Sequence, residues 1–409
     1  MVPGRWLARA IAVLAVLGGL SPAPSVLAQF NGNFDIERHR LDTENFLDWR
    51  AYRMPPSWRQ AVYRRPNWMQ ATVGSLSTRY FYQFHELRLE KDLGRYATLL
   101  YHQQEDAFFR SEPIYQEIEM RAGAEDVFAS VIGFPQHDKS LAALGAALAW
   151  GKRTDAGYLR YSRLEQYAYY NEKHEGSERF SVNPVLDRLE GRLTWNDTLF
   201  LQMDLRLEQP TQFVAPEAAL TRTYQGGKAD LVADWTVTDG VIVGLWGSDN
   251  REQRRALPDL PSAATPRREQ TLAWGWWEAY GSWRFARGDA LTLAYLVSRF
   301  SNDIRTSDGA ADYRFRLDTG QAYGLWEVPQ GPWFRWLFSF QAGRVLLTED
   351  PPRTGSTPAD ADSVQVKGGA GFALVDEAHY RFWFNSTWDV DAISGQKWDG
   401  GNVQLQMYF

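Results

Sequence analysis

The stretch Leu199-Phe200-Leu201-Gln202-Met203-Asp204-Leu205-Arg206-Leu207-Glu208 is the strongest indication of how this chain folds. Its odd positions are all apolar, and its even positions carry Gln, Asp, Arg and Glu. Successive side chains of a β-strand point to opposite faces, so one face meets an apolar environment and the other meets water. The preceding segment repeats the pattern, with Leu189, Leu193 and Trp195 opposite charged residues. Only Asn196-Asp197 lies between the two segments, which predicts a two-residue hairpin turn.

The same alternation recurs along the chain. Tyr313, Phe315 and Leu317 alternate with Arg314, Arg316 and Asp318, and further series cover 364–374 and 380–389. Around 272–285 and 335–347 both faces hold apolar residues, so the pattern assigns no inner face there. Many amphipathic strands are therefore predicted, some more clearly than others.

The predicted connections alternate in length. Short turns are expected at 91–94, 123–125, 151–155, 196–197, 238–240, 287–289, 329–332 and 376–377. Longer polar loops are expected near 104–112, 135–139, 168–184, 209–221, 249–268, 301–311, 348–362 and 391–400. Short periplasmic turns and longer external loops are typical of a transmembrane β-barrel. A soluble sandwich or propeller is the alternative. Against it, the chain has no blade-like repeat, and the polar face carries bulky charged residues in neighbouring strands while the opposite face stays apolar.

Strand counting gives the size of the barrel. Seventeen strands are predicted from about Thr78 to Phe409, and bacterial single-chain barrels have even strand numbers. One more strand is therefore expected around Asn67 to Ser75. The fold class predicted is an all-β transmembrane antiparallel barrel of about 18 strands (16–18), which is wide enough for an aqueous passage.

Composition narrows the chemistry. The 409 residues include no cysteine, carry a net charge of −6, and are 14% aromatic despite a mean hydropathy of −0.44. Without cysteine there is no disulfide framework, thiolate-bound metal or thiol nucleophile. Mild acidity without long basic runs argues against nucleic acid as a partner. No cofactor and no metal are predicted.

The N-terminal region has the pattern of an export signal. Arg5 and Arg9 precede an apolar run from Ala10 to Leu20, and small residues end at Ala28. Eleven apolar residues span about half of a bilayer core as a helix, which is too short for an anchor. The predicted organisation is a cleaved signal peptide over 1–28, a periplasmic arm or plug over 29–66, and an outer-membrane barrel over 67–409.

At the other end, Val403, Leu405 and Met407 alternate with polar residues before Phe409. This segment resembles the terminal strand of Gram-negative outer-membrane β-barrel proteins, including the porin-like channels. The resemblance implies an outer-membrane location, export through the periplasm, and recognition of Phe409 by the barrel-assembly machinery. It ties the chain to no single porin family.

If the fold is a barrel, the polar strand faces line its lumen. The predicted pore-lining residues are Glu117, Glu119, Arg121, Arg188, Glu190, Arg192, Asp204, Arg206, Glu208, Lys228, Asp230, Asp234, Arg314, Arg316, Asp318, Lys367, Arg381 and Asp389. Both signs occur in most groups, so opposed rows would set up a transverse field and select among ions and polar solutes. The alternative is that these residues are only the water-facing side of a barrel.

The aromatic residues and the basic loop each have two possible interpretations. Trp274, Trp276, Trp333, Trp336 and Trp388 are expected mainly as girdle residues at the membrane interfaces, whereas Trp277 and Trp383 are the candidates for stacking on sugar rings. Loop 249–268, with Arg251, Arg254, Arg255, Arg267 and Arg268, either binds lipopolysaccharide phosphates or is simply solvated charge.

These patterns predict an outer-membrane channel for passive passage of small polar or charged solutes. The alternative is the barrel component of a larger conduit, which exports polysaccharide or encloses a partner multihaem cytochrome. A barrel enzyme is a third hypothesis, but the histidines are scattered, no nucleophile-elbow or metalloprotease motif is present, and no catalytic residue is predicted. The expected partners are outer-membrane lipid, lipopolysaccharide, the assembly machinery, a solute or polysaccharide cargo, and a periplasmic protein.

Overall fold

A computed structural model shows a closed antiparallel β-barrel. It describes residues 65–76, 80–106, 115–124, 126–134, 143–165, 179–215, 219–258, 266–307, 309, 312–350, 360–390 and 398–409. The predicted signal peptide and nearly all of the predicted arm lie outside the described residues. Within those ranges, no helix is long and apolar enough to cross a membrane.

The described part of the chain forms nineteen strand segments. They are β1 Trp68–Leu76, β2 Tyr80–Asp92, β3 Ala97–Asp106, β4 Tyr115–Ala124, β5 Val127–Phe134, β6 Ala143–Trp150, β7 Gly157–Glu165, β8 Arg179–Val182, β9 Val185–Trp195, β10 Leu199–Ala215, β11 Leu220–Thr238, β12 Val241–Pro258, β13 Arg268–Arg284, β14 Ala290–Thr306, β15 Tyr313–Pro329, β16 Phe334–Asp350, β17 Asp360–Asp376, β18 Tyr380–Asp389 and β19 Trp398–Tyr408.

Segments β8 and β9 both pair with β10 and form one interrupted strand, so the barrel has 18 strands. Consecutive strands pair antiparallel, and β1 closes the ring by pairing with both β2 and β19. The additional strand predicted around Asn67 to Ser75 is β1. The predicted fold class and strand number are therefore confirmed.

All eight predicted short turns join strands at one end of the barrel. In the hairpin between β9 and β10, Asn196 and Asp197 both have positive φ, as the predicted two-residue turn requires. Several predicted loops were too long, because strands extend into them. Strand β10 reaches Ala215, β12 reaches Pro258 and β14 reaches Thr306, so Arg251, Arg254 and Arg255 lie on β12 and not in a loop.

The two faces of the barrel wall differ sharply. Large apolar side chains on the outer face are exposed, among them Met120, Val131 and Leu144 at 59–66%. Outward-facing tryptophans near the short turns include Trp150, Trp195, Trp235 and Trp336, at the level expected of an interfacial aromatic girdle. The inner face instead carries charged, amide and hydroxyl side chains of low exposure.

The barrel is taller on one side. Strands β10–β17 have 17 to 19 residues, whereas β1–β7 have 8 to 13. A tilted strand crosses a bilayer in about 9–11 residues. Because the eight predicted short turns all lie at one end, the extra length of β10–β17 projects beyond the membrane at the other end, which carries the longer loops.

Candidate functional site in the barrel lumen

An ionic ladder runs across the inner wall from β4 to β10. It consists of Glu117, Glu119, Arg160, Glu190, Arg188, Asp204 and Arg206. Arg160 is its centre: one terminal nitrogen, Nη2, lies 2.8 Å from Glu117 Oε1 and 3.0 Å from Glu119 Oε2, and the other, Nη1, lies 2.6 Å from Glu190 Oε2. The Arg160 side chain is only 4% exposed. One guanidinium therefore holds together carboxylates from two non-adjacent strands.

The ladder continues from β9 to β10. Arg188 donates through Nε and Nη2 to both carboxylate oxygens of Asp204, at 2.9 and 2.8 Å, and its Nη2 also lies 2.9 Å from Glu190. Arg206 reaches the same Asp204 oxygen at 2.8 Å. Two-point contacts of this kind fix the planes of both groups. The ladder is thus oriented as well as neutralised.

Arg160 reaches across β6 and β5 because the inner side chains of β6, and Ser130 on β5, are small. Strand β6 presents Ala143, Gly145, Ala147 and Ala149 inward, and Ala149 pairs directly with Arg160. Strand β5 contributes Ser130, whose hydroxyl donates to Glu119 at 2.5 Å. These short side chains leave room for the long Arg160 side chain to span the curved wall.

A second charged group lies beside the ladder on β2 and β3. Glu86 accepts from Arg88 at 3.2 Å and lies 2.9 Å from His102 Nε2. Both Arg88 and His102 border the same small cavity, of about 40 Å³, as Glu117 and Arg160. In the described part of the chain, no cluster of three or more His, Asp or Glu could hold a metal ion.

A neighbouring part of the inner wall, on β12 and β13, is aromatic and is called the aromatic wall. Trp246 on β12 packs edge-on against Trp276 on β13, with ring centroids 4.8 Å apart at 87°. By register, Trp274 and Tyr280 share that inner face, and Tyr280 donates a hydrogen bond to the buried Asp234 carboxylate. The inner wall therefore has a charged sector on β4–β10 and, next to it, an aromatic sector on β12 and β13.

A wider cavity lies at the short-turn end. It has a volume of about 450 Å³ and is lined by charged groups, including Glu327, Arg335, Glu377 and Arg381. Arg381 pairs with Glu377, and Arg335 lies 3.9 Å from Glu327. Both signs of charge are therefore present at this end, as on the ladder.

Turn residue Arg153 connects the β6–β7 turn to the residues before β1. Its Nη2 donates to the carbonyl oxygens of Arg65 and Pro66 at 2.5 and 3.2 Å. Burial lowers the pKa of the Arg153 guanidinium to about 10, and Arg88 adds repulsion. The group therefore remains charged at neutral pH and can serve as a permanent donor to these carbonyls.

The register places most of the predicted pore-lining residues on the inner face. These are Glu117, Glu119, Arg121, Arg188, Glu190, Arg192, Asp204, Arg206, Glu208, Lys228, Asp230, Asp234, Lys367, Arg381 and Asp389. Whether they line a conducting pore stays a prediction. Of them, the structure brings Glu117, Glu119, Arg188, Glu190, Asp204 and Arg206 together in the ladder.

The three predicted pore-lining residues on β15 face the other way. Arg314, Arg316 and Asp318 are on the outer face, whereas Phe315 and Leu317 are 1% exposed and point inward. The prediction assumed that apolar residues always face lipid. It was wrong here because this part of β15 projects beyond the membrane, where the outer face meets water and polar headgroups.

Sequence reasoning also missed or misplaced some inner residues. Arg160, at the centre of the ladder, was not singled out, although its alternation with Leu159 and Tyr161 was the available signal. Trp274 and Trp276, expected in the girdle, face inward, and Trp277, expected as a sugar contact, faces outward. The other candidate, Trp383, does face inward and is fully buried.

Closure of the ring, an apolar exposed belt with tryptophans near the short turns, and a polar inner face together match a barrel that crosses a bilayer. The protein is an outer-membrane β-barrel. Strand β19 completes it: the outward residues Val403, Leu405 and Met407 share their face with Phe409, whose N–H donates to the Asn67 carbonyl at 3.2 Å. The role of Phe409 as an assembly signal stays a prediction.

No model of a known protein family and no curated protein matches the chain. Solved structures with some likeness include the trimer form of OmpT, an outer membrane protein of Vibrio cholerae, with a TM-score of 0.38 and 9% identity over 84% of this chain and 98% of that one. OccK5 of Pseudomonas aeruginosa has a TM-score of 0.37 and 10% identity over 83% and 96%. A bacterial polysaccharide outer membrane secretin has a TM-score of 0.36 and 11% identity, over 84% of this chain and 97% of that one. What this barrel does must be inferred from its own residues.

Proposed function

We propose that this protein is an outer-membrane channel for the passive passage of small polar or charged solutes. The ionic ladder is the observation that carries the proposal. Three arginines and four carboxylates are held in fixed geometry on one side of the lumen wall. A barrel that served only as a membrane anchor would not require oriented charges of both signs on its inner face.

The chemistry of the ladder suits selection by electrostatics. Rings or rows of charged side chains are the usual means by which pores discriminate among ions. Carboxylates exceed arginines by one within the ladder, and Arg121, 3.4 Å from Glu119, brings the local charge near balance. We therefore expect little preference between cations and anions in the unchanged protein, and a strong dependence of ion preference on single charge changes.

Single-channel recording in planar bilayers tests the proposal. The double variant Glu117→Gln with Glu119→Gln should shift the reversal potential in a salt gradient towards anion preference. Asp362→Asn is the matched control: Asp362 faces outward and is exposed, so its substitution should leave the reversal potential unchanged. Absence of any ohmic current from correctly folded protein would contradict the proposal.

A conduit for exported polysaccharide is the second candidate, and the aromatic wall favours it. Inward-facing tryptophan rings offer flat apolar surfaces on which sugar rings can stack. Oligosaccharides that block the ohmic current for milliseconds would favour this candidate over an unspecific channel.

The remaining hypotheses concern other chains or chemistry. A sleeve around a partner multihaem cytochrome predicts that haem absorbance co-purifies with the barrel, together with a lack of open-channel current. A barrel enzyme would need a reactive constellation, and the His102 and Glu86 pair lies within a network of ion pairs on the inner wall. Neither is supported by a specific observation.

A further inference from the structure

The outer face of the tall side of the barrel carries an outer ionic band above the apolar belt. On strands β12–β17 the outward residues nearest the short turns are apolar, and those nearer the long loops are charged. The arginines of this band include Arg251, Arg299, Arg314, Arg316 and Arg344, and all five are exposed. Charged side chains on the membrane-facing side of the wall must contact a polar group, because they cannot lie in the hydrocarbon core.

The height of the outer ionic band indicates which polar group it contacts. On β16 the outward residues Phe334, Trp336, Phe338 and Phe340 are followed by Ala342 and then Arg344. Each residue of a tilted strand adds about 2.5 Å of height, so Phe334 and Arg344 are about 25 Å apart along the barrel axis. The apolar band of outer-membrane barrels is also about 25 Å tall. Arg344 therefore lies at the level of the lipid headgroups of the external leaflet.

Within the band, Asp318 holds two guanidinium groups side by side. Arg299 Nε donates to Asp318 Oδ1 at 2.8 Å, and Arg316 Nε donates to Asp318 Oδ2 at 2.6 Å. A third arginine is next along the strand: Arg314 Nε lies 3.3 Å from Asp303. All three arginines are thus held through Nε, and these contacts do not use the edge between the two terminal nitrogens.

This arrangement leaves donors for a ligand. In the part of the chain that the structure describes, the terminal nitrogens of Arg299 and Arg316 have no hydrogen-bond partner within the protein. Their side chains are 65% and 47% exposed. Two guanidinium forks fixed by one carboxylate match the paired donors that bind phosphate oxygens.

We infer that the Arg299–Asp318–Arg316 clamp binds a phosphate group of lipopolysaccharide, with Arg314 as an adjacent contact. The external leaflet of the outer membrane presents phosphorylated sugar headgroups at this height. Arginine binds phosphate in two-point geometry, and desolvation near the bilayer surface strengthens such contacts. The three arginines exceed Asp318 and Asp303 by one charge, which suits an anion and not a zwitterionic headgroup.

Lipid binding to the purified, full-length barrel in detergent tests this inference. The probe is bisphosphorylated lipid A, and its affinity is measured by titration calorimetry. The double variant Arg299→Gln with Arg316→Gln should bind about tenfold more weakly, equivalent to about 1.4 kcal/mol. Arg163→Gln is the matched control: Arg163 is also outward-facing and 62% exposed, but it lies on the short side of the barrel, and its variant should bind like the unchanged protein.

Further arms separate the possible sources of affinity. Removing both phosphates from lipid A should abolish the difference between the double variant and the unchanged protein, and inorganic phosphate should not compete at millimolar concentration. The pair Arg299→Lys with Arg316→Lys keeps the charge without the fork and should bind with intermediate affinity. Equal affinity of the double Gln variant and the unchanged protein would overturn the inference, as would cross-linking that shows this face covered by a second copy of the chain.

Discussion

Replacing Arg160 by Gln should destabilise the barrel far more than any other change at a charged inner residue. The substitution removes the positive centre of the ladder and leaves Glu117, Glu119 and Glu190 facing one another across a space that is nearly inaccessible to water. Breaking a buried ion pair by deleting one partner is costly because the remaining charge has no compensation.

The magnitude follows from the contacts. At an effective dielectric constant of about 20, one contact near 2.8 Å contributes a gross Coulomb energy of about 6 kcal/mol. Desolvation offsets most of this, and deletions of one partner of buried pairs typically cost about 3–5 kcal/mol. With three carboxylates on one guanidinium, we expect Arg160→Gln to lie at the upper end of that range.

The free energy of unfolding can be measured by urea titration of the protein refolded in detergent micelles, with tryptophan fluorescence as the signal. The control is Arg163→Gln, three residues further along the same strand. Arg163 is 62% exposed and its nitrogen lies 3.8 Å from Asp187. Exposed pairs contribute about 0–1 kcal/mol, so the control should change stability by less than about 1 kcal/mol.

A double variant checks the cause. Adding Glu190→Gln to Arg160→Gln removes one of the three carboxylates that faced Arg160 and should recover part of the loss, with a coupling energy of about 1–3 kcal/mol. Equal effects of Arg160→Gln and Arg163→Gln, or strict additivity in the double variant, would refute the view that Arg160 neutralises a buried cluster.

Three further outcomes follow from the structure. Gly371→Ala should destabilise the barrel by about 1–3 kcal/mol in the same urea assay, because the added Cβ would clash with the backbone of Phe384. Gly133→Ala is the control: open space surrounds its Cβ position, so its stability should change by no more than about 0.5 kcal/mol. Equal effects of the two variants would contradict the clash. Tyr280→Phe removes a donor to a buried carboxylate and should cost about 1–3 kcal/mol by urea titration, and a neutral result would contradict its role in the wall. Trp246→Ala should shorten oligosaccharide block times in single-channel records while the outward-facing Trp277→Ala leaves them unchanged, and the reverse pattern would rule out stacking on the aromatic wall.

Much of the fold could be predicted because each barrel strand has a recognisable local sequence pattern. A strand with lipid on one side and polar groups on the other must alternate, as Leu199 to Glu208 does. The even strand number then required a further strand, which the structure has as β1. Short turns were predictable for the same reason: a tight hairpin needs residues such as Asn196 and Asp197 that tolerate positive φ.

Strand ends were less predictable, because alternation does not stop at the membrane surface. The outward residues of β12 become charged at Asp249 and Arg251, which reads as a loop, yet the strand pairs in register to Pro258. The strand continues there because its neighbours provide backbone hydrogen bonds, whether or not the outer face is in contact with lipid. On β15 the same effect inverted the inner and outer faces of the prediction.

The sequence alone determined the class of fold, the number of strands, and which residues share a face, since these depend on local alternation and turn chemistry. Tertiary structure alone decided which face is inner where both are apolar, as on β13, because that depends on the register with β12 and β14. It also decided that Arg160 meets Glu117 across β5 and β6, of which β6 has only small inner side chains. Contacts between residues 43 positions apart arise from closing the wall into a ring, and no local pattern encodes them.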